Sequence, residues 1–358
     1  MGIDANARLA GLEKFRREKG LLLAIETSCD ETAAAVLDAP RGVRSMSVHT
    51  QIPLHAQFGG VVPELASRSH VERLGPVVED ALQKAKCTFG DLSAVAVTCG
   101  PGLVGALLTG VSYAKGIAFA KGLPLVGVNH IEGHIAANYL SCPELEPPFV
   151  CLIASGGHSH IVLVEGYRKF FLIGKTRDDA AGEAFDKAAR ALGLPYPGGP
   201  ALERLALDGD PNAYAFRSVL NEDESFDFSF SGIKTAVVNL LHTATQKGES
   251  VSRADIAASF QRAVVNALAE KSLRAALLSG HKKLALAGGV SANKALREAM
   301  RNRAEKAGVS FYCPDFRFCT DNAAMIGCAG YYALLANESS PLSLNASPAL
   351  SLGDRSFL

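Results

Sequence analysis

Apolar residues along this chain fall into short runs of alternating or continuous character, separated by glycine-bearing polar loops. Residues 21–38 (LLLAIETSCDETAAAVLD) read as two β-runs around a polar loop, Glu26–Thr32, and residues 43–52 as a third strand. The period then becomes helical between 70 and 86, with Val71, Leu74, Val78, Leu82 and Ala85 on one face and Pro76 as the site of a kink. Leu92–Thr98 is a strand, Gly100-Pro101-Gly102 a tight turn and Val104–Ala120 a helix rich in small residues. Leu125–Val128 is a further strand, and His130–Tyr139 a helix.

Beyond a linker at Pro143–Pro148 the pattern restarts. Phe149–Ala154 and His160–Val164 are strands around the loop Ser155-Gly156-Gly157-His158, and Phe170–Gly174 is a third. A helix covers 179–192. The long helix 253–279 opens with a capping box, Ser252 with Asp255, and turns Ile256, Phe260, Val264, Ala267 and Leu268 inward. Lys283–Ala287 is a strand, Gly288-Gly289 a turn, 292–307 a helix, Phe311–Tyr312 a short strand and 321–337 the final helix. Each half thus holds a hairpin with a small polar loop and, later, a strand–glycine turn–helix unit (98–118 and 284–305). This weak internal duplication predicts an α/β protein of two like lobes with a nucleotide cleft between them. The expected division is an extension over 1–20, lobes over 21–145 and 146–340, and a tail over 341–358.

Composition narrows the classes. A hydrophobic share of 48% and a charged share of 20% over 358 residues describe an ordinary globular protein. Lys plus Arg equals Asp plus Glu at 36 each, whereas a chain that holds nucleic acid unaided is usually basic. If RNA is a substrate, partner subunits or local patches must supply the attraction. Arg16-Arg17, Lys282-Lys283 and Arg297-Arg301-Arg303-Lys306 are the candidate patches, and solvated faces are the alternative. None of the eight cysteines forms a C-x-x-C pair, and several sit in apolar runs, as Cys151 does. Reduced thiols in a cytoplasmic protein are expected, not a disulfide frame or a thiolate zinc site. The first 20 residues, with Asp4, Glu13 and Glu18 among basic groups, read as a solvated helix and not a secretory signal. No apolar run approaches membrane-spanning length, so no membrane association is expected.

Candidate chemistry begins with N-H-I-E-G-H-I (129–135). His130 and His134 are four apart and project from one helical face, where they can share a metal or stand as two ordinary helix histidines. Glu132 lies about 200° around the helix from His130, so it is badly placed as the base of a zinc protease. Asp321 in C-T-D-N is either a remote third ligand or the cap of the last helix; two histidines and a carboxylate would suit iron or zinc. The A-S-G-G-H loop (154–158) is a candidate phosphate nest or a plain hairpin turn. A-G-G-V-S-A-N (287–293) is a nucleotide-approach turn in which Asn293 offers a donor and an acceptor, or a tight turn capped by Ser291. Asp186 is a candidate for ribose hydroxyls or one of the solvated acids of a helix face, and Gly198-Gly199 can pack against a nucleoside. His158 and His160 are read as structural, and no P-loop sequence occurs.

Taken in order, IETSCDET (25–32), GGVVPELASRSH (59–70), GPGLVGALLTG (100–110), NHIEGHIAA (129–137), SGGHSH (155–160), DDAAGEAFDK (178–187), YPGGP (196–200), FSFSGIKT (228–235), AGGVSAN (287–293) and CTDN (319–322) resemble the TsaD family, whose older label is Gcp or O-sialoglycoprotein endopeptidase. The resemblance runs from about Leu21 to Leu335. It implies an actin-like ATPase fold (sugar kinase/heat-shock protein, RNase H-like). It also implies transfer of threonylcarbamoyl from threonylcarbamoyl-AMP to N6 of adenosine 37 in tRNAs reading codons that begin with A. On this chain His130, His134 and Asp321 match the catalytic metal ligands for one Fe2+ or Zn2+. Ile153, Ala154, Ser155, Gly156, Gly157, Asp186, Gly199 and Asn293 match the substrate-binding positions, and Glu26, Ser28, Asp30 and Glu31 occupy a phosphate-type loop expected to line the same cleft. The implied partners are tRNA, a paralogous TsaB subunit and a TsaE ATPase. Asn129 departs from the pattern, where many relatives carry His, and residues 1–20 and those after about 340 match no motif. A small-molecule kinase of the same fold would leave the His–His–Asp trio without a purpose. The trio also argues against a non-catalytic scaffold, and the position of Glu132 against a protease.

Overall fold

The computed structural model describes residues 5–18, 20–216 and 225–357. Its first sheet holds β1 (Leu21–Glu26), β2 (Glu31–Ala39), β3 (Gly42–Thr50), β4 (Leu92–Gly100) and β5 (Leu125–Asn129) in the order β3-β2-β1-β4-β5. The second holds β6 (Phe149–Ala154), β7 (Ser159–Gly166), β8 (Lys169–Lys175), β9 (Lys283–Ala287) and β10 (Ser310–Tyr312) in the order β10-β9-β6-β7-β8. In both sheets the first three strands form an antiparallel meander, and the first strand then pairs in parallel with the fourth. The duplication, faint in the sequence, is complete in strand order.

Each sheet is buried on both faces, which is why its central strands read as continuous apolar runs. In β1, Leu23 and Ile25 face a core made with α3 (Pro63–Ala85) and α4 (Val104–Lys121), while Leu22 and Ala24 face the opposite way. In β6, Val150 and Leu152 pack with α6 (Ala181–Ala191) and α9 (Arg253–Leu278), while Cys151 and Ile153 turn away. The two inward-turned faces meet α5 (His130–Ser141) and α11 (Ala323–Leu335) in one continuous core, with Ile131, Ile135, Met325 and Ile326 at its centre. Although α11 comes last among the helices, it packs on β1, β2, β4 and β5 of the first sheet. Gly327 makes that approach possible, because a Cβ there would lie 2.2 Å from Leu37 Cδ1. The remaining helices are α1 (Ala5–Glu18), α2 (Ile52–Ala56), α7 (Gly198–Ala206), α8 (Ser231–Lys247) and α10 (Lys294–Lys306).

Three expectations change. The helix expected over 70–86 starts at Pro63 and runs through Pro76 unbroken; its inner stripe is His70, Leu74, Val77, Val78, Ala81, Leu82 and Ala85, and Val71 is 70% exposed. His70 can take the inner position because Thr32 Oγ1 (2.8 Å) and the Cys29 carbonyl (2.9 Å) satisfy its ring. The first 20 residues are not a purely solvated helix: Leu12 and Phe15 of α1 are buried, and Phe15 meets Tyr331 of α11 with ring centroids 4.9 Å apart. The tail past 340 also has a place, because it lies along the first lobe with Leu344 and Leu350 buried.

Candidate metal centre and cleft

Strand β5 delivers Asn129, whose Oδ1 accepts the Ile131 N–H at 2.9 Å and so starts α5 with His130 as its first residue. Four-residue spacing then stacks His130 and His134, with ring centroids 4.6 Å apart. Asp321 is not the cap of α11: Asn322 holds that place by accepting the Met325 N–H at 2.9 Å, which leaves the Asp321 carboxylate to turn toward the histidines. Asp321 Oδ1 lies 3.2 Å from His134 Nε2 and 3.5 Å from His130 Nε2, and one ligand atom from each residue falls within 4.8 Å of the others.

Both ring nitrogens of His134 are buried without a hydrogen bond, although Nε2 faces the carboxylate at close range. Burial holds His134 below the usual histidine range, in the neutral form that ligates metals. Burial also opposes charge on His130, but Asp321 and Glu26 outweigh it and hold a proton there up to about pH 9. Burial would raise Asp321, yet His130 and His134 keep it well below the usual carboxylate range. With a cation in place of the His130 proton, two neutral imidazoles and an ionised carboxylate converge on one point, a donor set that fits a divalent cation with coordination positions to spare.

Glu26 ends β1 and Ser28 lies in the loop that follows, but neither is among the residues that line the cleft. Glu26 is fully buried; its Oε2 accepts the Thr98 hydroxyl at 2.6 Å and lies 3.1 Å from His130 Nδ1, while Oε1 accepts the Ser28 N–H at 2.5 Å. Ser28 Oγ is also 3.1 Å from that Nδ1. The pair grips the ring from behind, so that Nε2 faces Asp321. No local spacing signals this, because the partners are 104 residues apart. Asp30 and Glu31 do line the cleft, and burial raises both, Glu31 to about 8.

The cleft, of about 330 Å³, joins the two lobes at Asp321. Asp30 and Glu31 come from the first lobe; Ser155, Gly156, Asp186, Gly199 and Asn293 come from the second. Its size falls within the range of small-ligand sites. Ile153 and Ala154 are strand residues with buried side chains, and Gly157 lies outside the lining. Asp186 Oδ1 accepts the Gly198 and Gly199 N–H groups at 2.8 and 3.2 Å, so it fixes the start of α7. Asn293, not Ser291, caps α10: its Oδ1 accepts the Leu296 N–H and its amide donates to Gln261. Both side chains are therefore largely committed to shaping the wall. Gly182 and Phe185 of the motif DDAAGEAFDK and Tyr196 of YPGGP also line the cleft, as does Glu203, which no motif contains.

Glu132 accepts from Arg168 (2.5 Å) and Arg355 (2.6 Å) on the far side of α5, away from His130 and His134, as its helical angle requires. The basic stretches are partly consumed as fasteners. Arg297 donates to the Ser291 and Pro314 carbonyls, Arg303 to Asn266 and Lys283 to the Glu146 carbonyl.

Burial and the nearby Lys175 hold His160 down to about 4, so the folded protein keeps it neutral while the unfolded chain would protonate it near 6.5. This contribution to stability is complete above pH 6.5 and is lost as pH falls through 6.5 toward 4. The melting temperature is expected to drop over that window, and less steeply in His160→Gln; parallel curves by scanning calorimetry would rule this out.

Two like sheets around a cleft, with helices between and outside them, define an actin-like α/β protein. Solved structures agree at the level of fold: T. kodakarensis HypF matches with a TM-score of 0.59 at 17% identity over 89% of this chain and 48% of its own. Component A of (R)-2-hydroxyglutaryl-CoA dehydratase from Acidaminococcus fermentans matches with a TM-score of 0.52 at 16% identity over 88% and 97%. The profile described as "TsaD: tRNA N6-adenosine threonylcarbamoyltransferase" matches residues 42–328, and the chain belongs to that family. A tRNA N6-adenosine threonylcarbamoyltransferase of Clostridium perfringens is 54% identical over 94% of this chain and 100% of its own length. One of Clostridium botulinum is 52% identical over 93% and 98%.

Proposed function

We propose that this protein transfers the threonylcarbamoyl group of threonylcarbamoyl-AMP to N6 of adenosine 37 in tRNAs reading codons that begin with A. The observation that carries the reading is the convergence of His130, His134 and Asp321 at the edge of a two-lobed cleft walled by Ser155, Gly156 and Gly289. In the transfer the adenine N6 attacks the carbamoyl carbon and loses a proton, the bond from that carbon to the phosphate oxygen breaks, and AMP leaves with the electron pair. AMP is already a good leaving group, whereas the N6 lone pair is delocalised into the ring, so holding amine and carbonyl at attack distance is the main task. Gly156 and Gly289, lacking side chains, let a phosphate lie against the backbone. Asp186 and Asn293 keep the cleft wall rigid through the bonds they make at α7 and α10. One Fe2+ or Zn2+ on His130, His134 and Asp321 would supply Lewis-acid stabilisation of charge on the carbamoyl or phosphate oxygens.

A net charge of zero, with several arginines already engaged, leaves tRNA attraction to partner subunits; a paralogous TsaB subunit and a TsaE ATPase fit that need. The proposed compartment is the cytoplasm, and no helix among the described residues is long and apolar enough to cross a membrane. Purified protein incubated with threonylcarbamoyl-AMP and tRNA, with and without those partners, should yield threonylcarbamoyl-adenosine and AMP in equal amounts by mass spectrometry. Unmodified tRNA with both partners present would refute the assignment.

A further inference from the structure

Residues 340–357 return across the first lobe and end behind the helix that carries both histidines. The Ser340 N–H donates to the Leu125 carbonyl (2.7 Å), the Ser347 N–H to the Cys99 carbonyl (2.7 Å), and the Pro348 carbonyl accepts the Gly102 N–H (3.2 Å). Leu344 and Leu350 bury themselves against α4 and the first sheet. From there the segment reaches α5 at two points. Asn129 Nδ2 donates to the Ser351 carbonyl at 3.0 Å, while Oδ1 of the same amide caps α5. Arg355 Nη1 donates to Glu132 Oε1 at 2.6 Å, and its Nη2 donates to the Arg168 carbonyl at 3.1 Å.

We propose that the segment 340–357 is a positioning element for the ligand helix, with Arg355 as its positioning residue, acting through Asn129 and Glu132. Glu132 has its side chain 1% exposed and divides its two oxygens between Arg355 and Arg168, which is itself held by Glu338. Neither arginine replaces the other, because each serves a different oxygen. Glu132 lies about 200° from His130 around the helix, so a shift at its carboxylate rolls the opposite face, where the imidazoles must meet Asp321 within a few tenths of an ångström. The Asn129 amide makes the same link at the helix start: whatever fixes its Nδ2 also fixes the rotamer of the cap. The segment that matches no family motif and the position that departs from the family pattern therefore form one device.

The inference rests on the metal reading of the trio, and its test separates the two. Zn2+ is titrated calorimetrically into metal-free wild type, His134→Ala, Arg355→Met and Arg355→Lys, with melting temperatures and steady-state kinetics alongside. Arg355→Met is expected to bind Zn2+ about tenfold more weakly, as lost outer-shell partners do. Its kcat should fall while KM for tRNA holds, and Arg355→Lys should restore most of the affinity. In a Glu132→Gln background, Arg355→Met should change Zn2+ affinity no further. An Arg355→Met protein with a lowered melting temperature but wild-type Zn2+ affinity and kcat would make the contact merely structural and overturn the proposal. Wild type and His134→Ala that bind Zn2+ alike would overturn the metal reading, and this proposal with it.

Discussion

His134→Ala is expected to lose about 10³-fold or more in kcat/KM for tRNA modification, roughly 4 kcal/mol of transition-state stabilisation, while the protein stays folded. The imidazole is fully buried and contributes a neutral nitrogen 3.2 Å from Asp321 Oδ1. Its removal leaves His130 and Asp321, too few ligands for tight binding of a borderline cation. Helix α5 itself should survive. Ile131, Ile135 and Tyr139 keep it in the shared core, alanine favours the helix, and the cap at Asn129 is untouched. Metal content by emission spectroscopy, a circular-dichroism melt and nucleoside analysis together check the expectation. Normal modification by a folded, metal-free variant would remove the cation from the mechanism.

Gly182→Ala is expected to lower kcat/KM about tenfold with little change in melting temperature. Gly182 donates its N–H to the Ser155 carbonyl, and α6 passes the 155–157 loop so closely that a Cβ would sit 2.7 Å from that oxygen and 2.8 Å from Gly156 Cα. Backbone atoms cannot rotate aside, so the loop must move by several tenths of an ångström. A misplacement of about 1 Å between reacting groups costs about two powers of ten, so a shift of several tenths costs about one. Stability should hold, because alanine favours the helix over glycine and offsets part of the strain. Wild-type kinetics would mean that the loop does not position the substrate.

Local patterns disclosed the local elements. The hairpins, the Ser252 cap of α9 and the facing pair His130/His134 all follow from short-range periodicity, although the expected capping box is only half made: Ser252 accepts the Asp255 N–H, while Asp255 accepts from the Asp210 N–H instead. The parts that escaped depend on long-range partners. Helical periodicity of the apolar residues turns Val71 inward, yet His70 is buried by two hydrogen bonds that only the folded chain supplies. Asp321 and Asn322 are adjacent, and both can cap a helix; which one does so is settled by the geometry of the 316–321 turn, not by propensity. Glu26 carried no sign of its bond to His130. Phe15 and Leu12 of a charged helix find their partners only in the folded chain, Phe15 against the Tyr331 ring.

The place of α11 has a bearing on biosynthesis. Tyr331 on this helix donates its hydroxyl to the Asp38 carbonyl across 293 residues of chain. During translation the face of the first sheet that α11 covers has α1 and α5 to pack against it but lacks α11 until residue 335 has been made. So wide a separation slows folding and leaves sticky surface exposed meanwhile. The nascent first lobe is therefore expected to present apolar surface until residue 335 has left the ribosome.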